Sequence, residues 1–436
     1  MIEIICHHLA ADLPAGGNGI VPVLMYGKRP PAYGSTSIGG PVLSAVRRLG
    51  VPVHQRAFDL LTIAMAVTAA DTFVDRARSD DGWTRQFQLR IPLIDPSPWL
   101  PVVPLLEKAL HFLSGDLWRL DLLPGGPQRP IPQVRGRLTT LSGHDCVSLF
   151  SGGLDSAIGA MDLLANQKMP LLISHSYRGD AERQHLVGAH LPVTLSRFSA
   201  VANPVSMLGE SNDVQMRTRS FNFIAYGTLV AATMAEQGIS RSPVDLYVPE
   251  NGLIALNPPL TFRRIGSLST RTTHPHFLGL IQQILDATAI PVHISNPYAL
   301  KTKGEMLAGC TDQATLNLVA KHTVSCGKWK RTNMQCGKCV PCLIRRASFF
   351  SAGMPDDTQY APNGSDLSAV MASDAKDDLM AMILAARRLP AIDITRWIPS
   401  AGPLPVERAE RDALLDVASR GMAEVKAYLD SHSLLA

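Results

Sequence analysis

The chain lacks the features that would tie it to a membrane, a secretion route or a nucleic acid. Its 41 basic and 37 acidic residues nearly balance, so net charge gives no argument for a nucleic-acid partner. The most apolar stretches, residues 60–70 and 221–234, are too short or too interrupted to span a membrane. Residues 1–8 carry an acid and two histidines where a secretion signal needs a basic segment and a longer apolar run. We therefore expect a cytoplasmic globular protein.

A lysine is missing from a stretch that otherwise suits a phosphate. Residues 150–156 read Phe-Ser-Gly-Gly-Leu-Asp-Ser, between an apolar run and a helical pattern. Two glycines between a buried strand and a helix turn backbone N–H groups and the positive helix end toward one small volume. A Walker loop would end in Gly-Lys-Ser/Thr, so this is a different cradle. Asp155 with the hydroxyls of Ser151 and Ser156 favours Mg²⁺ on a pyrophosphate and chemistry at the α-phosphate.

The stretch resembles the PP-loop of the N-type ATP pyrophosphatases. The resemblance implies that it binds the β,γ-pyrophosphate of ATP and that Asp155 and Ser156 act in catalysis. A serine- and glycine-rich turn without a ligand is the alternative. The predicted ATP-binding residues of this loop are Phe150, Ser151, Gly152, Gly153, Leu154, Asp155 and Ser156.

Residues 140–300 alternate short apolar runs with amphipathic ones. This alternation predicts right-handed crossovers and an α/β fold with a doubly wound parallel sheet, whose ligands lie beyond the carboxyl ends of the strands. Ser174 and His175 follow one predicted strand, where an adenine can rest. Glu250 and Asn251 follow another strand. The PP-loop resemblance implies an adenine nucleotide alpha hydrolase-like sheet.

Two predicted helix starts offer cations to the same edge of the sheet. Arg219 opens a helix and is a candidate ligand of the leaving pyrophosphate, with a solvated helix end as the alternative. Lys303 follows Thr302 in a step similar to the Thr-Lys-x-Glu that comes after the last strand in several PP-loop enzymes. We predict catalytic roles for both.

The flanking regions carry no catalytic spacing. Residues 1–135 read as an α+β domain, for which we expect partner docking or self-association, and its Trp83 and Trp118 read as buried anchors. Residues 140–355 form the predicted PP-loop domain. Residues 356–436 read as a helical extension, with amphipathic spacing from Val406 to Leu429.

Four of the seven cysteines crowd into one short segment. Their spacing suits a closed tetrahedral Zn²⁺ site, which is structural because no position is left for water. An iron–sulfur cluster with the same ligands is the alternative, and His322 is able to replace one of them. The predicted metal ligands are Cys326, Cys336, Cys339 and Cys342.

A PP-loop followed by this cysteine spacing resembles the QueC family of 7-cyano-7-deazaguanine synthases, over about residues 145–350. The resemblance implies adenylation of 7-carboxy-7-deazaguanine by ATP, attack by ammonia, dehydration of the amide with a second ATP, and structural zinc. Glu250, Asn251 and Arg271, the last within the segment 269–275, stand where substrate-side residues are expected. The added amino-terminal residues are similar to QueC-like proteins of bacterial antiphage defence, which implies transfer to a protein amino terminus.

These observations predict an ATP-, Mg²⁺- and Zn²⁺-dependent enzyme. We expect it to adenylate a 7-deazaguanine carboxylate, release pyrophosphate and pass the acyl group to a nitrogen nucleophile on a partner protein of the same defence system. A synthase that uses ammonia is one alternative. A module that binds nucleotide or partner without turnover is the other, and the intact Asp155 argues against it.

Overall fold

The computed structural model describes residues 1–17, 19–175, 179–209, 213, 217–261, 271–329 and 333–435. Residues 269 and 270 of the predicted substrate-side segment therefore lie outside the described residues. Two sheets organise the described chain, one mostly from the first 123 residues and one from residues 146–295.

Sheet A has six strands in the order β5-β4-β1-β2-β3-β9. Buried apolar side chains alternate with more exposed ones along β1, β4 and β5, so one face of these three strands packs in the core and the other is half-exposed. Its strands are β1 Ile2–His7, β2 Ile20–Gly27, β3 Thr36–Gly39, β4 Gln86–Pro92, β5 Leu117–Leu123 and β9 Val205–Ser206, and its helices are α1 Gly40–Arg47, α2 Gln55–Phe73 and α3 Val103–Ser114.

Residues 1–135 combine helices with strands, and the mostly parallel order of these strands is a feature that no sequence pattern predicted. Every strand pair of sheet A is parallel except β3 with β9. Parallel strands are usually joined through a helix, which leaves a visible alternation in the sequence. Here β1 to β2 and β2 to β3 are joined by the segments 8–19 and 28–35, which hold only one short 3₁₀ turn among their described residues, so that alternation is absent.

Sheet B confirms the predicted doubly wound parallel sheet. Its order is β11-β10-β6-β7-β8, and all its strand pairs are parallel. The chain runs outward from β6 in one direction and then returns to the other side, so β6 lies at the switch point where such folds bind ligands. The strands are β6 Cys146–Leu149, β7 Pro170–His175, β8 Arg197–Ala200, β10 Val244–Tyr247 and β11 Val292–Ser295.

The helices around sheet B cover both of its faces. On β7, Leu171 and Ile173 belong to the core shared with sheet A, whereas Leu172 belongs to a second core with Phe150 and Leu154. The helices are α4 Leu154–Ala165, α5 Asp180–Ala189, α6 Arg219–Glu236, α7 Gly252–Leu256, α8 Pro275–Ala287, α9 Lys303–Ala308 and α10 Gln313–Val319.

Helix α2 joins the two sheets. All of its residues from Ala57 to Phe73 are buried, as expected for a helix covered on every side. It packs on sheet A and on α6, where the Asn222 amide donates to the Thr68 hydroxyl at 2.6 Å. One hydrophobic core therefore runs through both sheets.

The carboxyl-terminal extension is helical, as predicted. Its long last helix covers the predicted amphipathic segment and packs on α7 and on the helix after the cysteines. No helix among the described residues is long and apolar enough to cross a membrane. The helices are α11 Val340–Ser351, α12 Pro362–Ser365, α13 Leu367–Met371, α14 Asp377–Arg388, α15 Ile394–Trp397 and α16 Arg408–Ser431.

A buried ion network ties the start of α6 to the amino-terminal half. The Arg85 guanidinium donates to Asp71 at 2.5 Å and to Asp116 at 2.8 Å, and Arg76 binds Asp116 at 2.8 Å. Asp71 also accepts from the backbone and the hydroxyl of Thr218, both at 2.8 Å. Buried charges persist only when paired in this way.

Replacing Arg85 tests this network. Arg85→Met keeps most of the side-chain volume but leaves two buried carboxylates without their shared cation, so the free energy of unfolding should fall by about 3–5 kcal/mol. The matched control is Arg90→Met on β4, because Arg90 pairs with Glu3 at 2.8 Å but is 48% exposed. The control should lose about 1 kcal/mol or less in urea unfolding. Equal losses in the two variants would contradict the role given to the network.

Candidate active site

The predicted PP-loop turns directly from β6 into α4. Gly152 has a φ of 81°, and a Cβ there would lie 3.1 Å from Gln184, so both the backbone and the space require glycine. The Ser151 hydroxyl accepts from the Gly153 N–H at 3.2 Å, and the Ser156 hydroxyl donates to the Gly153 carbonyl at 2.9 Å. The two hydroxyl oxygens lie 3.2 Å apart at the positive end of α4, which is a suitable place for a phosphate.

The neighbouring strand end holds this loop in place. The buried Ser174 hydroxyl donates to the Phe150 carbonyl at 2.8 Å, so within the described contacts Ser174 positions the loop. The Gln184 amide donates to the carbonyls of Ser151 at 3.3 Å and His175 at 3.1 Å. Gln184 lies in a polar helix without any motif, and the sequence held no signal for this role.

Three predicted residues meet at the loop. Asp155 accepts from the Asn251 backbone at 3.0 Å and from its side-chain amide at 2.7 Å, and its other oxygen accepts from the Lys303 ammonium. Asn251 caps α7 after β10, and Lys303 opens α9 after β11. Since β6, β10 and β11 are neighbouring parallel strands, their carboxyl ends bring these side chains to one edge of the sheet.

The electrostatics of this cluster separate its two carboxyl groups. Burial opposes ionisation of Asp155, but the Lys303 ammonium and the hydrogen bonds lower the pKa of Asp155 to about 2. Burial first, and then the negative charge of Asp155, raise the pKa of Glu250 well above its ordinary value. The cluster therefore favours an ionised Asp155 paired with Lys303 and shifts Glu250 toward its protonated form.

Arg219 lies beside the other predicted nucleotide residues. Its guanidinium donates to His175 Nδ1 at 2.9 Å and to the Asp180 carboxylate at 3.0 Å. Because a guanidinium only donates, His175 accepts through Nδ1 and carries its proton on the other ring nitrogen. The start of α6, the end of β7 and the start of α5 thus converge, and Gln184 connects them to the PP-loop.

Arg271 has described contacts with the amino-terminal half. It donates to the Phe112 carbonyl at 3.1 Å, its guanidinium lies 4.7 Å from the Phe112 ring centre, and burial lowers the pKa of Arg271. None of the contacts in the described part of the chain joins Arg271 to Asp155 or Glu250. Its substrate role stays a prediction.

The four predicted cysteine ligands form one buried group. Their sulfur atoms all lie within 4.8 Å of one another, with Cys326 and Cys339 at 3.8 Å and Cys336 and Cys342 at 4.0 Å. A tetrahedral Zn²⁺ with zinc–sulfur bonds of about 2.3 Å requires sulfur separations of about 3.8 Å. The four thiolates therefore fit one Zn²⁺ without His322. The His322 ring instead lies beside the His190 ring, with the two ring centres 6.4 Å apart.

The cysteine segment touches the PP-loop directly. The Val324 N–H, two residues before Cys326, donates to the Gly152 carbonyl at 3.1 Å. On its other side, the buried Arg345 donates to the Thr323 hydroxyl at 2.8 Å and to the Ala320 carbonyl at 2.6 Å. A metal ion held by these cysteines would fix a wall of the loop at a place where the chain has little apolar core.

The switch-point loop, the phosphate-suited end of α4 and the ion pair beside it are consistent with a PP-loop domain, a class of fold that uses ATP. Comparison with known proteins agrees. Residues 272–353 match the family model described as queuosine biosynthesis protein QueC. This match covers Lys303 and the four cysteines and leaves residues 150–156 outside it.

Individual relatives give the same result. The 7-cyano-7-deazaguanine synthase 1 of Sphingopyxis alaskensis is 25% identical over 244 residues, which are 51% of this chain and 100% of that protein. The synthases of Cupriavidus metallidurans and Cupriavidus pinatubonensis are 42% and 41% identical over 73 and 69 residues, 16% of this chain, and these segments span only 30% and 29% of those proteins. These matches support a relationship to the QueC family and are strongest in the segment with Lys303 and the four cysteines.

Removing one thiolate tests the metal site. Cys339→Ser should lose the ion and much of its solubility, since a structural Zn²⁺ contributes on the order of 10 kcal/mol of apparent binding energy in small domains. Cys310→Ser, which changes a buried cysteine outside the group, is the control and should keep it. Elemental analysis should find about one zinc per chain in the parent protein. Iron in its place would contradict the zinc assignment.

Glu250 predicts a pH dependence of stability. Its raised pKa means that the folded protein holds a proton that the unfolded chain loses above pH 4.5, its ordinary pKa. The contribution of Glu250 to the free energy of unfolding is therefore fully present below that pH and falls as the pH rises toward the raised pKa, by about 1.4 kcal/mol for each unit of the shift. Glu250→Gln mimics the neutral acid and should remove this fall.

The measurement is urea unfolding at about pH 5 and about pH 8. The stability of Glu250→Gln relative to the parent protein should be greater at the higher pH. Glu182→Gln, an exposed position on α5, should show no such difference. The same gain for Glu250→Gln at both pH values would mean that Glu250 is not held neutral by the fold.

Proposed function

We propose that the chain adenylates the carboxylate of a 7-deazaguanine with ATP, releases pyrophosphate, and passes the acyl group to a nitrogen nucleophile in the cytoplasm. The observation that carries the proposal is the cluster of Asp155, Asn251, Lys303 and Glu250 at the amino-terminal end of α4. A phosphate-suited loop with a buried ammonium and a carboxyl group of raised pKa beside it matches the needs of attack at an α-phosphate.

Each group has a role in this reaction. The end of α4 and the hydroxyls of Ser151 and Ser156 bind the β,γ-phosphates. Lys303 and Arg219 supply positive charge to the leaving pyrophosphate, so that positioning and electrostatics account for the rate. Glu250 as a neutral acid places no second negative charge beside the substrate carboxylate. No side-chain nucleophile is needed.

The loop offers a place for the phosphates of ATP, but its carboxylate is not free to bind Mg²⁺. Both oxygens of Asp155 already accept hydrogen bonds, one from Lys303 and the other from Asn251. We propose that Asp155 is the carboxylate that would contact Mg²⁺, and that it would become available once the phosphates draw the Lys303 ammonium away from it. Mg²⁺ would neutralise charge on the pyrophosphate there. Zinc at the four cysteines keeps its structural role.

The proposed acceptor is the amino terminus of a partner protein in a bacterial antiphage defence system. Support comes from residues 1–135, which are similar to those of QueC-like defence proteins such as QatC of the Qat system. A protein acceptor needs a docking area of about 800 Å². Sheet A has a half-exposed face, and Leu117 and Leu123 on its edge strand β5 are 47% and 44% exposed.

A second candidate is a 7-cyano-7-deazaguanine synthase that uses ammonia. The match to the whole length of the Sphingopyxis alaskensis synthase favours it. Both candidates share the adenylation step. They differ in the nitrogen that attacks, and the synthase also dehydrates the resulting amide to a nitrile with a second ATP.

The first test is pyrophosphate release by the full chain with ATP and 7-carboxy-7-deazaguanine. Asp155→Asn should lose at least about 100-fold in rate, because Lys303 and Asn251 then lose the charge that orients them. Asp286→Asn, an exposed change on α8, is the control and should keep the parent rate. A near-parent rate in Asp155→Asn would exclude this loop as the reaction site.

The second test identifies the acceptor. The enzyme is incubated with ATP and 7-carboxy-7-deazaguanine. Ammonium is added in one reaction and the proteins encoded by neighbouring genes in another, and the masses of the intact products are recorded. A mass gain on a protein amino terminus supports the defence proposal. A nitrile product formed from ammonium alone supports the synthase.

A further inference from the structure

The last helix, α16, contacts the two short helices whose first residues or caps donate hydrogen bonds to Asp155. Asn251 caps α7, which has five residues, and Lys303 opens α9, which has six. Helices this short are not stable alone, because the cost of starting a helix exceeds the gain from so few hydrogen bonds. Their position must come from what packs against them.

At α9 the contact is polar. The Glu424 carboxylate of α16 accepts from the Thr302 hydroxyl and, at 3.2 Å, from the Gly304 N–H, so it caps the helix that begins with Lys303. Arg420 binds Glu305 and donates to the Leu300 carbonyl at 3.0 Å. The two α16 side chains hold the turn on both sides of Lys303.

At α7 the two helices pack closely because each places a glycine against a side chain of the other. A Cβ on Gly252, the first residue of α7, would lie 2.8 Å from the Val417 methyl groups. A Cβ on Gly421 of α16 would lie 2.9 Å from the Leu253 side chain. Helix α16 therefore fits against α7 through two glycines that leave no room for a shift.

We propose that α16 is a positioning element of the active site and that Glu424 is its main positioning residue. It sets the Lys303 ammonium, and through α7 the Asn251 amide, against Asp155. This inference rests on the proposed function for its kinetic consequences only. The family match ends at residue 353, so this support comes from a part of the chain that the match does not include.

The test compares Glu424→Ala with Glu410→Ala, an exposed glutamate in the first turn of the same helix. Glu424→Ala should slow pyrophosphate release by about tenfold, the effect of losing a helix cap, with a smaller change in KM for ATP. It should also speed acetylation of Lys303, which is only 4% exposed, as followed by peptide mass spectrometry. Glu410→Ala should change neither.

Two further variants keep the test decisive if Glu424→Ala is poorly folded. Glu424→Gln retains an oxygen for the Gly304 N–H and should recover part of the rate. Arg420→Met removes the second support at a 37%-exposed side chain and should speed Lys303 acetylation with little loss of melting temperature. Unchanged Lys303 acetylation in all three variants would overturn the inference. If the parent protein releases no pyrophosphate but Lys303 is still acetylated faster in the variants, the proposed function is rejected and the inference stands.

Discussion

The arrangement of the two sheets depends on the hydrogen bonds that the buried Asp71 carboxylate accepts. One oxygen accepts from Arg85 of the amino-terminal half, and the other accepts from both the backbone and the hydroxyl of Thr218. Thr218 immediately precedes Arg219, so the same carboxylate fixes where α6 begins and where the Arg219 guanidinium lies. The first half of the chain thereby shapes the nucleotide site without contributing a residue that the sequence marks as catalytic.

A second carboxylate, Asp155, organises the reaction edge of sheet B. Its charge is paired with the Lys303 ammonium, and burial together with the Asp155 charge raises the pKa of the neighbouring Glu250, so the cluster favours one ionised carboxylate over two. In the proposed reaction, the phosphates would compete with Asp155 for the Lys303 ammonium.

Local motifs made the core of the site predictable from the sequence. The PP-loop and the cysteine spacing are short-range patterns. The rule that ligands gather at strand ends pointed to Asn251, and the similarity to a Thr-Lys-x-Glu step at a helix start pointed to Lys303. The parallel order of sheet A was not predictable, because its loops hide the usual alternation. No local pattern records contacts between distant segments. Three features depend on such contacts: the inward position of Ser174, the link through Gln184 and the Glu424 cap.

Strand β9 has a consequence for how the protein is made. Its two residues, Val205 and Ser206, complete the edge of sheet A from within the PP-loop half, and α2 is enclosed only when α6 covers it. A nascent chain emerging from the ribosome therefore cannot finish its first sheet until more than two hundred residues have been synthesised. During that interval the face of α2 that later packs on α6 is exposed, and exposed apolar surface of this kind favours aggregation of a growing chain.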